Sequence, residues 1–261
     1  MRIAFLFNYQ RADNTRWKQE LIRSLKIDHE LLVIFGKTRL QDYIRTYLRR
    51  RDEETLPAAG GGVTTSSTQL VRTTRVLAEL GIRTVRVSNV NTKKCKRVIA
   101  EFRPDFVVTA LDQLISRELI AAMPIALNVH YGILPAIKGW NATEWSLLEC
   151  GHLSVSLHRI AWPVDAGEIY ISKEIEVVST DDLGTLMAKC QDAAVELYNT
   201  FFSDPERYMA AASQNGTGRT YYVMNRLLKS MVVSRIQTGE IDSRSPLFPR
   251  LPRTSFRLKA R

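Results

Sequence analysis

Short apolar runs alternate with amphipathic stretches along the first half of the chain. Residues 2–7 (RIAFLF) and 30–36 (ELLVIFG) are predicted to be buried strands, and 14–26 places its apolar residues at helical spacing. The alternation continues through strands predicted at 83–88, 105–111 and 125–129 and helices predicted at 39–51, 69–80, 92–102 and 116–122. Strands that alternate with helices build βαβ units. The pattern therefore predicts an α/β fold, a Rossmann-like, mostly parallel twisted sheet with flanking helices.

The second half of the chain has a different pattern. Its predicted elements are a helix at 140–150, a strand at 153–160, a hairpin partner at 168–177 and a long helix at about 181–202. Thr180 or Asp181 is the expected cap of the long helix. Beyond 203 the pattern is less regular, with a helical stretch at 221–232 and an extended end from 248. We therefore divide the chain into a main domain, 1–203, and a short basic C-terminal extension, 204–261, of helical and extended character.

Composition is typical of a soluble globular protein. Of the 261 residues, 45% are hydrophobic and 25% are charged. The three cysteines form no CxxC pair, so the sequence predicts neither a zinc site nor a disulfide framework and favours a reducing cytoplasm. The N-terminal apolar run breaks at Asn8, too early for a signal peptide, and no run reaches the length of a membrane span.

The net charge of the chain bears on the kind of partner that it could attract. The net charge is +10, and much of the excess lies at 45–51 and in the tail from 226 to 261. A solvated basic surface explains this excess, and so does attraction to a phosphorylated small molecule, RNA or a membrane surface. The tail lacks regularly interleaved aromatic residues, which argues against RNA.

Candidate chemistry lies where one apolar run stops. Residues 127–135 read LNVHYGILP, and VDAGEI follows at 164–169. Asn128 and His130 are two apart on an extended segment, so both side chains face one side. Asp165 lies in a turn between two predicted strands. An amide donor, a histidine and a carboxylate suit acyl transfer to an amine, although each residue alone has an ordinary structural explanation.

Together the motifs resemble the formyltransferase family that uses N10-formyltetrahydrofolate. NVHYGILP, KGWN at 138–141 and VDAGEI are similar to the family pattern N-x-H-x-S-L-L-P, then R-G, then D-x-G-x-I. The resemblance implies that Asn128 stabilises the oxyanion, that His130 is a general acid or base, and that Asp165 positions His130 and moves protons. Gly132 replaces the usual serine, and Lys138 replaces the arginine before Gly139.

The resemblance also implies a set of folate contacts. Positions beside the Asn128–His130 motif and at the end of the first strand predict a set of acceptor contacts, and no metal is expected. Contacts to the folate, mainly through backbone, are expected at Ala110, Leu111, Gln113, Leu114, Gly139, Val164, Ala166 and Gly167. Contacts to the formyl acceptor are expected at Asn8, Tyr9, Tyr131, Lys138, Trp140 and Asn141.

Branches of the family differ in their formyl acceptor and in the segments that accompany the main domain. The predicted first strand is followed by NYQRADN, without the glycine-rich phosphate loop of the purine branch. About 60 residues follow the long helix, too few for the barrel of the initiator-tRNA branch, and no regulatory domain fits before Arg2, unlike in the hydrolase branch. The layout most resembles short sugar N-formyltransferases, which act on a nucleotide-linked amino sugar. An amino acid or hydroxyornithine amine, methionyl-tRNA, and a non-catalytic folate- or RNA-binding role stay open, as does a homodimer through the C-terminal extension.

Overall fold

The computed structural model describes residues 1–8, 15–37, 67–111, 113–213 and 216–241, and it describes the side chains of these residues except those of 15 and 67–72. The predictions for the helix at 39–51, for Tyr9 and for the extended end from 248 lie outside the described residues.

The described strands and helices confirm most of the predicted elements. The strands are β1 Arg2–Asn8, β2 Glu30–Gly36, β3 Arg83–Val87, β4 Phe106–Ala110, β5 Ile125–His130, β6 Ile137–Gly139, β7 Leu153–Arg159, β8 Ile169–Ile175 and β9 Arg219–Tyr221. The helices are α1 Thr15–Lys26, α2 Ser67–Glu79, α3 Lys93–Phe102, α4 Arg117–Ala122, α5 Ala142–Cys150, α6 Leu183–Ser203, α7 Pro205–Ala210 and α8 Arg226–Gln237. In the described ranges, no helix is long and apolar enough to cross a membrane.

Seven strands form one mostly parallel sheet, as predicted. Their order is β3-β2-β1-β4-β5-β7-β8, in which β1 to β5 pair in parallel and β7 and β8 are antiparallel to their neighbours. The chain builds outward from β1 to β3 on one side and then returns to β4 on the other. The carboxyl ends of β1 and β4 therefore flank a topological switch point, where open α/β sheets bind their ligands.

β1 is buried on both faces, as its continuous apolar run predicts. Ile3, Phe5 and Phe7 belong to the larger core, which includes residues of α1 and α6. Ala4 and Leu6 belong to a second core on the other face, with residues of α3. The sheet is therefore covered by helices on both sides, which fixes where its strands end.

The predicted cap of the long helix was wrong. Asp182 caps α6, because its carboxylate accepts the backbone N–H of Thr185 at 2.7 Å while the Thr185 hydroxyl accepts the N–H of Asp182. Asp181 instead accepts the N–H of Val178 at 2.9 Å and pairs with Lys189. The two neighbouring aspartates thus divide the roles of helix cap and loop anchor.

The C-terminal extension also differs from its prediction. The helix expected at 221–232 is α8, which begins at Arg226 after the cap Asn225. The residues before it form β9, which pairs in parallel with β6 as a separate two-stranded sheet. Neither of these strands was predicted, and β6 delays the start of α5 to Ala142.

Candidate active site

The structure brings the three predicted catalytic residues together. Asn128 and His130 lie at the carboxyl end of β5, and Asp165 lies in the turn between β7 and β8. Asp165 has a φ of 52°, a left-handed conformation that aspartate tolerates better than most residues. Its Oδ2 lies 3.5 Å from Nδ1 of His130, and its Oδ1 lies 3.7 Å from Nε2 of His158.

His130 is held in one tautomer by backbone. Its Nε2 lies 2.8 Å from the carbonyl oxygen of Ile137, which can only accept a hydrogen bond, so Nε2 carries a proton. In the neutral ring Nδ1 then has a lone pair, and it is Nδ1 that faces Asp165. Nδ1 is therefore the nitrogen that can take up and release a proton at this site.

Asp165 is positioned by the backbone of β6. Its Oδ2 accepts the N–H of Gly139 at 2.9 Å, and its side chain is 11% exposed. Gly139 has a φ of 94°, and an added Cβ would lie 2.3 Å from the carbonyl oxygen of Tyr221. Only glycine fits there, which keeps this N–H within reach of the carboxylate.

His158 is a site residue that the sequence interpretation missed. It lies opposite Asn128 in the pairing of β7 with β5. Its Nδ1 donates to the carbonyl oxygen of Arg159 at 2.9 Å, which leaves Nε2 to accept the amide N–H of Asn128 at 3.3 Å. Burial lowers the pKa of His158 to about 4, although the Asp165 carboxylate raises it, and His130 lowers it further. His158 is therefore neutral near pH 7.

The amide of Asn128 is oriented from two sides. Its Oδ1 accepts the hydroxyl of Thr109 at 3.4 Å, and one N–H of Nδ2 goes to His158. The amide has two N–H groups, so the second remains to donate to a carbonyl oxygen placed beside β5. A fixed donor of this kind is what stabilises negative charge that develops on such an oxygen.

The low pKa of His158 predicts that the stability of the protein depends on pH. Its pKa is about 4 in the folded protein and about 6.5 in the unfolded chain, so the unfolded chain binds more protons between these values. The contribution of His158 to stability is therefore present above pH 6.5 and is lost as the pH falls toward 4. We expect the melting temperature to fall over this range, and to fall less steeply in His158→Gln, as differential scanning fluorimetry would measure. An equal dependence of the melting temperature on pH in the two proteins would contradict the lowered pKa of His158.

The loop after β4 contains several of the predicted folate contacts. Ala110 ends β4, and Leu111 follows. The Gln113 side chain is 9% exposed; its Oε1 accepts an N–H from Asn89, while its Nε2 is buried without a hydrogen-bond partner in the described part of the chain. Leu114 beside it is 61% exposed. The loop thus combines an exposed apolar side chain with a buried donor that has no acceptor among the described residues.

Asn91 fixes the shape of this loop. Its Nδ2 donates to the carbonyl oxygen of Leu114 at 2.9 Å, and its Oδ1 accepts the N–H of Ser116 at 2.8 Å. The loop at the switch point is therefore held from the end of β3, although nothing in the sequence pattern marked Asn91.

Three more of the predicted folate residues lie in the turn around Asp165, whereas Gly139 lies in β6. Val164 and Ala166 flank it and are half-buried. Gly167 is packed against backbone, because an added Cβ would lie 1.9 Å from the carbonyl oxygen of Arg159. The glycine lets the turn approach β7 closely, which brings Asp165 back over the end of β5.

Contacts of the predicted acceptor residues with other parts of the protein are clearest for Tyr131, Lys138 and Asn141. The Tyr131 ring packs against the larger core, and burial raises its pKa. Lys138 donates from Nζ to the carbonyl oxygen of Gly216 at 3.1 Å. The Asn141 Oδ1 accepts the N–H of Met224 at 3.2 Å. Of the others, Asn8 is buried at the end of β1, and Trp140 is 40% exposed.

The replacement of the usual serine by Gly132 has a steric explanation. A Cβ at this position would lie 2.6 Å from the Cβ of Ala142 and 3.0 Å from Nε2 of His130. Helix α5 therefore approaches the loop too closely for any side chain here, and the glycine preserves the contact of His130 with Ile137.

No group of three or more His, Cys, Asp and Glu side chains that could hold a metal ion is found within the described ranges.

Comparison with known proteins identifies the class to which this fold and site belong. A sequence model of the formyl transferase family matches residues 52–201, more than half of the chain, including Asn128, His130, His158 and Asp165. The chain belongs to the formyl transferase family, and it is a formyltransferase, as the resemblance of its motifs implied.

Solved structures share the fold at low sequence identity. A sugar N-formyltransferase from Shewanella sp FDAARGOS_354 is 16% identical, with a TM-score of 0.54 over 90% of this chain and 87% of that one. A phosphoribosylglycinamide formyltransferase from Anaplasma phagocytophilum is 15% identical, with a TM-score of 0.56 over 85% of this chain and 99% of that one. Both likenesses confirm the Rossmann-like fold, and at this identity they say nothing about the acceptor.

Proposed function

We propose that this formyltransferase moves a formyl group from N10-formyltetrahydrofolate to the primary amine of a nucleotide-linked amino sugar. One observation carries the proposal. The free N–H of Asn128, the Nδ1 of His130 and the carboxylate of Asp165 converge at the end of β5, with each side chain held by a separate hydrogen bond.

The chemistry of formyl transfer explains why these groups are needed together. The formyl oxygen gains negative charge as the amine attacks, and the Asn128 N–H is the donor that stabilises it. The attacking amine must lose one proton, and the departing nitrogen must gain one. His130 holds that proton at Nδ1, and the Asp165 carboxylate stabilises the imidazolium form.

The loop after β4 fits a folate. N10-formyltetrahydrofolate supplies the activated formyl group and carries a pterin ring system whose edge has hydrogen-bond donors and acceptors and whose faces can pack against apolar side chains. Leu114 offers exposed apolar surface to such a ring, and Gln113 offers the donor Nε2, which has no partner in the part of the chain that the structure describes. A buried amide N–H without an acceptor is costly, so a ligand that supplies one explains why it is kept.

A substitution of Gln113 therefore tests whether this loop binds the folate. Gln113→Glu keeps the oxygen that accepts from Asn89 but replaces the unpartnered N–H with a second acceptor. We expect the affinity for 10-formyl-5,8-dideazafolate, a stable analogue, to fall about 10-fold or more, since a lost buried hydrogen bond costs about 1–3 kcal/mol. Isothermal titration calorimetry measures this, with Gln237→Glu at the exposed end of α8 as the control for added charge. Unchanged affinity in Gln113→Glu would contradict the assignment of the loop.

The choice of acceptor rests on the sequence. Both sugar and purine-pathway enzymes are among the structures with this fold, so the fold does not separate them. The segment after β1 reads NYQRADN and lacks the glycines that a phosphate loop needs to bring backbone N–H groups to a phosphate. The net charge of +10 suits an acceptor that carries a diphosphate.

An assay with several amines tests the acceptor directly. The protein is incubated with N10-formyltetrahydrofolate and 3-amino or 4-amino sugar nucleotides, hydroxyornithine, free amino acids or methionyl-tRNA, and release of tetrahydrofolate is measured. We expect turnover with a sugar nucleotide. Turnover only with an amino acid, hydroxyornithine or methionyl-tRNA would overturn the acceptor and keep the reaction, and lack of folate binding would overturn the reaction.

A further inference from the structure

Strand β6 has two edges with different partners. One edge pairs with β9: the carbonyl oxygen of Ala136 accepts the N–H of Arg219 at 3.0 Å, and the N–H of Trp140 donates to Tyr221 at 3.0 Å. Backbone groups of successive residues in a strand point to opposite sides, so residues 136 and 140 face β9 while 137 and 139 face away from it.

The other edge of β6 contacts both candidate catalytic side chains. The carbonyl oxygen of Ile137 accepts from Nε2 of His130 at 2.8 Å, and the N–H of Gly139 donates to Oδ2 of Asp165 at 2.9 Å. These are the two contacts that define the tautomer of His130 and the place of the carboxylate. A strand of three residues cannot hold its own conformation, so the positions of these two groups depend on β9.

Side chains attach the residues around β9 to residues 131–141, here named the catalytic loop, and to helix α5 after it. The ring of Trp145 lies 4.7 Å from the ring of Tyr221, and its Nε1 donates to the carbonyl oxygen of Tyr222 at 2.9 Å. Asn141, at the end of the loop, accepts the N–H of Met224 at 3.2 Å. These contacts join residues that follow β6 to residues in and directly after β9.

A buried ion pair attaches helix α8 to helix α5. Nζ of Lys229 lies 3.6 Å from Oε1 of Glu144, with side chains 5% and 12% exposed. The same Oε1 accepts the Nδ2 of Asn141 at 2.7 Å. An ion pair that must stay matched when buried fixes relative position, because any displacement leaves a charge unpaired. The pair therefore sets where α8, and with it β9, lies against the loop.

We propose that residues 219–241, here named the C-terminal segment, are the positioning element of the active site. The segment holds β6 so that Ile137 keeps His130 protonated at Nε2 and Gly139 keeps Asp165 in reach of Nδ1. The proposal rests on the proposed function for the catalytic roles of His130 and Asp165, but the arrangement of hydrogen bonds can be tested without any acceptor.

Two glycines that precede the segment provide a matched pair of variants. A Cβ on Gly218 would lie 1.5 Å from the carbonyl oxygen of Pro135, so Gly218→Ala must push β9 away from the catalytic loop. A Cβ on Gly216 would meet only the Cγ of Pro135, at 3.8 Å, an ordinary contact. The two variants add the same methyl group two residues apart and differ in its consequence for β9.

The experiment measures the His130 tautomer and the kinetics together. Long-range ¹H–¹⁵N correlation spectra of histidine-labelled protein report which ring nitrogen carries the proton, and His130→Asn identifies the signal. We expect wild type and Gly216→Ala to show His130 with Nε2 protonated, and Gly218→Ala to show a mixture of tautomers. In Gly218→Ala, kcat should fall about 100-fold with a shifted pH profile, while the dissociation constant of the folate analogue stays within about twofold.

Each outcome of this experiment either supports or overturns the proposal. A folded Gly218→Ala protein with the wild-type tautomer and kcat would overturn the proposal. If Gly218→Ala does not fold, Asn141→Gly takes its place, because it removes the contacts to Met224 and Glu144 and suits the φ of 51° at this position. A wild-type tautomer in Asn141→Gly would likewise overturn the proposal. If wild type turns over no amine, the proposed function fails, and the tautomer spectra still decide whether the segment positions His130.

Discussion

Replacing Asn128 with alanine is expected to lower kcat for formyl transfer by about 10²–10³-fold, the usual effect of losing one oxyanion donor. The Asn128 amide has one N–H directed to His158 and its oxygen directed to Thr109, so the second N–H is the group that the variant removes from the reaction. The donor acts most strongly when charge develops on the formyl oxygen. Substrate binding should therefore change little, and steady-state kinetics should show the loss in kcat with a nearly constant KM.

Two further variants sharpen this prediction. Thr109→Val removes the hydroxyl that orients the amide and keeps the donor, so its loss of kcat should be smaller than that of Asn128→Ala. Asn199→Ala makes the same truncation on α6, where the side chain accepts a hydrogen bond from Ser24, and it should leave kcat unchanged. Transfer at the wild-type rate by Asn128→Ala would exclude this amide as the oxyanion donor.

Replacing His130 with asparagine is expected to lower kcat by about 10³-fold, within the range for loss of a general acid or base. Asparagine places an amide group near the position of Nδ1, beside Asp165, where it cannot take up a proton, and it lacks an equivalent of Nε2 for the Ile137 carbonyl oxygen. Proton transfer between the two nitrogens then depends on water. The protein should remain folded, because the backbone around β5 keeps its pairing with β4 and β7.

His152 offers the matched control. It lies outside the site, where its Nδ1 donates to the carbonyl oxygen of Cys150, and His152→Asn should transfer formyl groups at the wild-type rate. Single-turnover measurements at several pH values check that the loss in His130→Asn lies in the chemical step. Equal rates for His130→Asn and wild type would leave His130 with a structural role only.

Long apolar patterns predicted most of the fold. The helix α6 was recognisable because it has enough residues for its period to show, and the strand β1 because its short apolar run is continuous. The turn containing Asp165 was recognisable because it separates two such strands. The position of Asn128 and His130 at a strand end followed from the place where the apolar run stops.

Short elements and long-range partners could not be read in this way. Strands β6 and β9 have three residues each, too few for any period, and each exists because the other pairs with it. His158 shares a face of β7 with Ser154 and Ser156, and this polar face was a signal of something beyond core packing. Its role became clear only from the register that sets His158 opposite Asn128. Such a register is a property of two strands and not of either sequence alone.

The pairing of β6 with β9 also has a consequence for how the protein reaches its active form. The two strands are separated by about 80 residues, so β6 leaves the ribosome long before its partner is synthesised. The sheet strands β1 to β5 precede both and can assemble first. A nascent or refolding chain should thus gain the bulk of its secondary structure while the histidine and carboxylate are still unaligned. Catalytic competence then arises as a late, separate event, set by the closure of one long loop.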